Sequence, residues 1–297
     1  MRTLHLLKRL TCVVYIALHI HGCGDPVATE YKEEIMLEGL LLVGEPLDNI
    51  RVLKTLPITD TFSFERAAIP DAVFTVQADG VDVPMQFVPD NRGGTYRAAD
   101  TSYRVQPNVV YSVTMRARGA TLTATTRTPE TFAYTVPPRP WLQYPHADSL
   151  LVSVNDSLLI SWQPVARAEL YIISITCLDT LGYGQYLLPA TSEDNERTKR
   201  PTPDFFDQSG TLIANERTTL GATRFPTSQT VWGVFRWYGL HEIRIYAPDR
   251  AFREWINLVG SGRRSSYDYR QSNIEGGLGV WGSASVAKAQ TILLKHR

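Results

Sequence analysis

The chain has 297 residues, 43% of them hydrophobic and 20% charged, with 30 basic residues against 30 acidic. That is the composition of an ordinary globular chain, and it excludes a disordered, collagen-like or strongly basic nucleic-acid-binding protein. Its 18 prolines, 20 glycines and 14 tyrosines favour short strands and turns over long helices, and its length suggests two domains at roughly 150 residues each.

Residues 1–22 read as a lipoprotein signal peptide. Arg2, Lys8 and Arg9 form a basic start, and Leu10 to Ile20 is an apolar run. The run is too short to span a bilayer, which needs about 20 apolar residues. It ends in Ile20-His21-Gly22-Cys23. A small residue directly before Cys resembles the bacterial lipobox, whose Cys is acylated and becomes the first residue of the mature chain. Cys23 is therefore the candidate lipid-attachment residue; the alternative is an ordinary signal peptide with Cys23 incidental. Loss of residues 1–22 leaves 27 basic residues against 30 acidic. No later segment is long and apolar enough to span, and residues 23–34 read as a polar tether. Cys12 leaves with the signal, so Cys177, in the apolar run YIISITCL, is expected to be a buried thiol without an internal disulfide.

Residues 35–135 read as an Ig-like β-sandwich. Ile35 to Leu42 and Ile50 to Leu56 are strand-like, and Ala72 to Ala78 alternates. Asp79-Gly80 before Val81 predicts a two-residue hairpin turn, because both positions need positive φ. Arg118-Gly119-Ala120 predicts a second hairpin between Tyr111 to Ala117 and Thr121 to Thr128. Val136-Pro-Pro-Arg-Pro-Trp141 opens a stiff linker over 136–145, placed here as the boundary between two independently packed units.

Residues 146–297 resemble a fibronectin type III domain in their early strands. Ser157 to Trp162, a Pro-containing turn at Gln163 to Ala168, and Leu170 to Ile175 follow that order, with Trp162 as a core residue. A long insertion over about 189–230 contains Phe205 and Phe206, and reads either as a binding loop or as a solvated segment. Val231 to Tyr238 and His241 to Ala247 suggest a hairpin. In a strand, Trp232, Val234, Arg236 and Tyr238 share one face, opposite Phe235 and Trp237. Trp232, Arg236 and Tyr238 are thus candidates for a surface on which sugars or peptides stack, against the alternative that the insertion or a helix covers them. A helix is predicted over 248–259, with Pro248 and Asp249 at its start and Gly260 at its end. Phe252, Trp255, Ile256 and Val259 form its apolar stripe, expected to pack on the second sandwich. The predicted class is all-β: two Ig/fibronectin type III-like sandwiches with one short helix in the second.

Ser272 to Gly282, SNIEGGLGVWG, resembles the C-terminal hallmark of the DUF4249 lipoproteins of the Bacteroidetes. The upstream order of lipobox, Glu38-Gly39, Ala72-Val73, Gly94-Thr-Tyr96, Pro107 to Tyr111 and an aromatic helix after Ala247 is similar as well, so the likeness covers most of the mature chain. Trp281 stands where Phe is commoner in that family. The resemblance implies an outer-membrane, lipid-anchored protein beside a TonB-dependent receptor. It marks Asn273, Gly276, Gly277, Gly279 and Trp281 as a structural motif.

Gly277-x-Gly279-x-x-Gly282 also matches the dinucleotide fingerprint literally. It lacks the flanking strand, helix and acidic residue which that chemistry requires, so a Gly-rich strand that approaches its neighbour closely is the reading adopted. His146, His241 and His296 show no metal-ligand spacing, and the chain has neither His-Glu-x-x-His nor Gly-x-Ser-x-Gly. No metal, cofactor or catalytic group is therefore expected. The expected role is a non-catalytic accessory or binding component at the outer membrane. Its rivals are a surface adhesin or glycan-binding module and, from a scattered active site, a hydrolase.

Overall fold

A computed structural model describes residues 31–57, 59–143, 158–179, 183–186, 190, 218–229, 235, 238–260 and 272–294. The described residues are mostly β, with 53% strand and 7% helix. Its first strands are β1 (Ile35–Leu42), β2 (Arg51–Lys54), β3 (Val73–Ala78), β4 (Val81–Val83), β5 (Met85–Val88), β6 (Thr95–Ala98), β7 (Val110–Ala117) and β8 (Ala120–Arg127), with a one-turn helix α1 (Phe64–Ala67) after β2. Then come β9 (Tyr134–Val136), β10 (Trp141–Gln143), β11 (Leu159–Trp162), β12 (Tyr171–Cys177), β13 (Thr218–Thr223), β14 (Thr227–Gln229) and β15 (Gly239–Pro248). Helix α2 (Arg250–Gly260) and the long β16 (Leu278–Leu294) complete the order.

Both predicted hairpins form. Asp79 and Gly80 join β3 to β4 with φ of 46° and 84°, and Arg118 and Gly119 join β7 to β8 with φ of 47° and 79°. Positive φ at both turn positions matches the right-handed twist of the strands they connect.

The pairing of the strands corrects the division into two independently closed domains. One sheet runs β13-β12-β15-β16-β1-β2, with β10 also paired to β16. Strand β1, from the N-terminal part, lies parallel to β16, from Met36 opposite Leu278 to Leu42 opposite Ala284. β16 then continues antiparallel to β15, from Pro248 opposite Ala284 to Gly239 opposite Leu293. The physical reason is length: the 17 residues of β16 are enough to pair with strands from both halves. The expected 136–145 linker is also tied into sheets at its ends. β9 pairs with β11, and β10 pairs with β16.

Two smaller layers cover one face of this shared sheet. The β4-β3-β7-β8 sheet and the β5-β6 pair enclose a first core containing Leu37, Leu41, Tyr111, Met115, Leu122 and Trp281. The β14-β11-β9 sheet encloses a second core containing Trp162, Tyr171, Ile173, Ile245, Ala287 and Leu293. Trp281, Ala287 and Leu293 are odd-numbered residues of one strand, so β16 serves both cores from one face. Trp162 is 2% exposed and meets Tyr171 edge-on at 5.3 Å, as a packing residue should. Cys177 is buried, and its thiol donates to the Asp179 carbonyl at 2.7 Å.

Helix α2 lies on the opposite face of the shared sheet rather than across the second sandwich. Phe252 packs with Ile172 and Ala284, and Leu40, Leu42, Tyr246 and Ile256 border this third cluster. That placement explains the nearly continuous apolar run of β12, which is covered on both faces. The helix begins two residues later than predicted, because Pro248 still pairs in β15 opposite Ala284. Trp255 is only half-buried. Arg253, off the apolar stripe, is ion-paired with Glu169.

β15 is paired on one side with β12 and on the other with β16, whereas most of the expected hairpin strand at 231–238 lies outside the described residues. The end of the predicted insertion is regular: β13 pairs with β12 and β14 with β11.

Candidate functional site

The Gly-rich motif is a joint between strands. A Cβ at Gly276 would strike the Thr121 carbonyl oxygen, one at Gly277 would crowd Leu122 and the Ile35 carbonyl, and one at Gly279 would collide with the Leu37 carbonyl oxygen. The motif thus lets β16 enter between β1 and β8, which is the chemistry of close packing rather than of phosphate binding. Asn273 holds the start of β16 by pairing both ways with the Trp281 main chain. Its Nδ2 donates to the carbonyl at 2.8 Å, and its Oδ1 accepts from the amide at 2.9 Å. Trp281 is fully buried, and its Nε1 donates to the Tyr111 carbonyl at 3.0 Å.

The candidate aromatic surface is placed only in part. Phe235 is 1% exposed and meets His241 edge-on at 5.3 Å, so its face belongs to the second core. Tyr238 is half-buried and packs against the same core. Trp232, Arg236, Phe205, Phe206 and Cys23 lie outside the described residues.

Sequence reading missed a cleft at the seam of the two cores. It holds about 590 Å³ and is lined by Arg127 and Glu130 at the end of β8, the Val165–Ala168 turn, and Ala247–Arg250 at the start of α2. Its walls are braced. Ser285 in β16 donates to the Glu130 carbonyl at 2.5 Å, and Glu130 Oε1 accepts the Ala166 N–H at 2.8 Å. Val165 N–H donates to the Tyr171 hydroxyl at 2.9 Å. Thr128, 1% exposed, accepts the Val109 N–H at 3.0 Å and donates to the Gln106 carbonyl at 2.7 Å. The lining residues come from position 108 and from 127–130, 165–168 and 247–250, and no local pattern announces that they meet.

Asp249 sits at the floor of this seam. Its carboxylate accepts from the Thr126 hydroxyl of β8, from Ser283 of β16 at 3.4 Å, and from the Phe252 N–H at 2.7 Å as the cap of α2. Burial pushes its carboxyl above the ordinary carboxylate range, outweighing the opposing pull of the hydrogen bonds from Thr126, Phe252 and Ser283. A raised folded-state pKa means that the folded chain holds the proton more tightly than the unfolded chain. Stability from this group is then complete below the unfolded pKa and is lost as pH rises through the folded one. Asp249→Asn keeps a capping oxygen but cannot titrate. Urea denaturation across pH should therefore show the wild type losing stability relative to Asp249→Asn as pH climbs out of the acid range. A difference constant with pH would refute this reading of the seam.

Among the described residues no group of three or more His, Cys, Asp and Glu side chains is arranged to hold a metal. No described helix is long and apolar enough to cross a membrane. The chain matches no family model, and comparison with curated proteins gives no match.

Proposed function

We propose that this chain is a lipid-anchored, non-catalytic binding component of the outer membrane, held through Cys23 and working beside a TonB-dependent receptor. The observation that carries this reading is the Ile20-His21-Gly22-Cys23 junction behind a basic and apolar run. The likeness of residues 272–282 to the DUF4249 hallmark supports the location and the partner. The architecture is compatible with tethering. The tether would end at Ile35, where β1 enters the shared sheet between β2 and β16. A pull on the lipid would then load strands in the interior of the sheet rather than a fraying edge.

Acylation contributes about 0.8 kcal/mol per buried CH₂, and more than one chain anchors firmly. Cys23→Ser should therefore move the protein from the membrane pellet to the soluble fraction and abolish incorporation of labelled fatty acid. A mutant that stays in the pellet with labelling intact would refute the anchor. Crosslinking of the wild-type chain in membranes tests the partner, for which an outer-membrane receptor barrel is the expected product.

A further inference from the structure

The seam cleft is cationic in a way that the rest of its chemistry does not use. Arg127, Arg167 and Arg250 all line it. The carboxylates in the same wall, Glu130 and Asp249, are engaged inside the protein with the Ala166 N–H and with Thr126, Ser283 and Phe252. Arg127 gives Nη1 to the Asn108 carbonyl at 3.0 Å, and Arg250 is ion-paired through Nε with Glu254 at 2.7 Å, which leaves Arg127 and Arg167 as the uncompensated cations. A guanidinium has five N–H donors, so each keeps donors to spare. Arg167 has no hydrogen bond or ion pair with any described residue.

The backbone makes Arg167 the more telling of the three. Ala168 N–H closes a turn on the Val165 carbonyl at 3.1 Å, and Arg167, its third residue, has φ of 67°. That is the type II pattern, whose third position favours Gly or Asn because a Cβ is strained there. The turn is not loose: Tyr171, 3% exposed, anchors it through Val165, and Glu130 anchors it through Ala166. A long cationic side chain is thus held in an unfavourable backbone conformation at the wall of a cavity, on a rigid base. Strain of this kind persists where surrounding structure enforces it, and it clusters at ligand clamps.

We propose that the seam cleft binds a small organic anion, with Arg167 and Arg127 gripping its carboxylate or phosphate oxygens. Planar guanidinium forks suit both oxyanions, and about 590 Å³ falls within the roughly 300–1,000 Å³ of small-molecule sites. The proposal gives a ligand class to the binding role proposed above. It rests on that reading only for the place where the ligand is met, since the cleft is built without the lipid.

The test is calorimetric titration of the full chain in detergent with citrate, with inorganic phosphate, and with glucose as an uncharged control. Saturable binding of an oxyanion is expected, weakening as salt rises, with no heat from glucose. The preferred probe identifies the headgroup chemistry. Arg167→Gly and Arg127→Gln should each weaken binding by about tenfold or more, the loss of one charge-assisted pair. Arg66→Gln, outside the cleft, should bind normally. Arg167→Gly should also unfold at a higher temperature than wild type, because Gly relieves the turn. A binding defect in a more stable protein cannot be ascribed to misfolding. Absence of saturable binding to either oxyanion, or unaltered binding by Arg167→Gly, overturns the proposal. A Cys23→Ser chain tested alongside separates the two readings, since failed anchoring leaves the cleft intact and a failed cleft leaves the anchor intact.

Discussion

Trp281→Ala is expected to remove about 3–5 kcal/mol of stability, the usual cost of deleting a buried tryptophan side chain. The side chain is fully buried. Its ring lies where a Cβ of Gly39 would have to go, so neighbouring chain cannot simply collapse into the space. Its Nε1 hydrogen bond to the Tyr111 carbonyl at 3.0 Å is lost as well, and a buried carbonyl left unpaired costs about 1–3 kcal/mol. Against a total of roughly 5–15 kcal/mol, this is a large fraction. Because β16 belongs to both cores, the damage should not stop at the first. Urea unfolding followed by far-UV circular dichroism should show one transition at a much lower midpoint. Trp281→Phe, which keeps a ring, should lose less. A loss in Trp281→Ala of about 0.5 kcal/mol or less, the range of ordinary surface changes, would mean that the residue is not the joint described.

Gly279→Ala should be as severe although it adds a single methyl group. Gly279 has φ of 121°, and the added Cβ would collide with the Leu37 carbonyl oxygen of the paired strand. The obstacle is main chain, so no rotamer change relieves it; β1 and β16 must part. The expected cost is more than about 4 kcal/mol, in the range reserved for specific mechanisms such as backbone strain and overpacking. Gly44→Ala is the matched control. Gly44 also has positive φ, at 82°, but nothing lies near its Cβ position. Its cost should be about 1–2 kcal/mol, the price of the left-handed conformation alone. Equilibrium denaturation of the two variants separates steric conflict from conformational strain, and equal losses would contradict the close approach of the strands.

What could be read in the sequence was local. Asp79-Gly80 and Arg118-Gly119 dictate their turns within two residues, and the apolar run Ile35 to Leu42 dictates a strand. Trp162 could be assigned to the core from the fibronectin type III-like order of its strands. The pairing of β1 with β16 could not be read, because it joins Met36 to Leu278 and a period of two specifies faces rather than partners. The glycines at 276, 277 and 279 signalled a close approach without naming what was approached. The Pro-rich stretch after Val136 suggested a boundary between domains, yet short strands on either side of it join sheets. Phe252 and Ile256 of the helix stripe were legible, but the surface that receives them was not. Leu40, Ile172 and Ala284 come from three distant parts of the chain and assemble only when the shared sheet forms. The cleft was hidden for the same reason, with Arg127, Arg167 and Arg250 lining it from three distant parts of the chain.

The claim on which the rest depends is that one sheet unites both cores, so that the cleft at their seam is a fixed wall rather than a hinge. Native-state hydrogen exchange of the wild-type chain under rising denaturant tests it most directly. Amides of Val113 and Met115, on a central strand over the first core, should open with the same free energy as those of Ile173 and Ile175 beside the second, to within about 1 kcal/mol and with the same denaturant dependence. Two well-separated opening energies, with one set of amides exchanging while the other stays protected, would contradict the shared sheet and restore two independent domains.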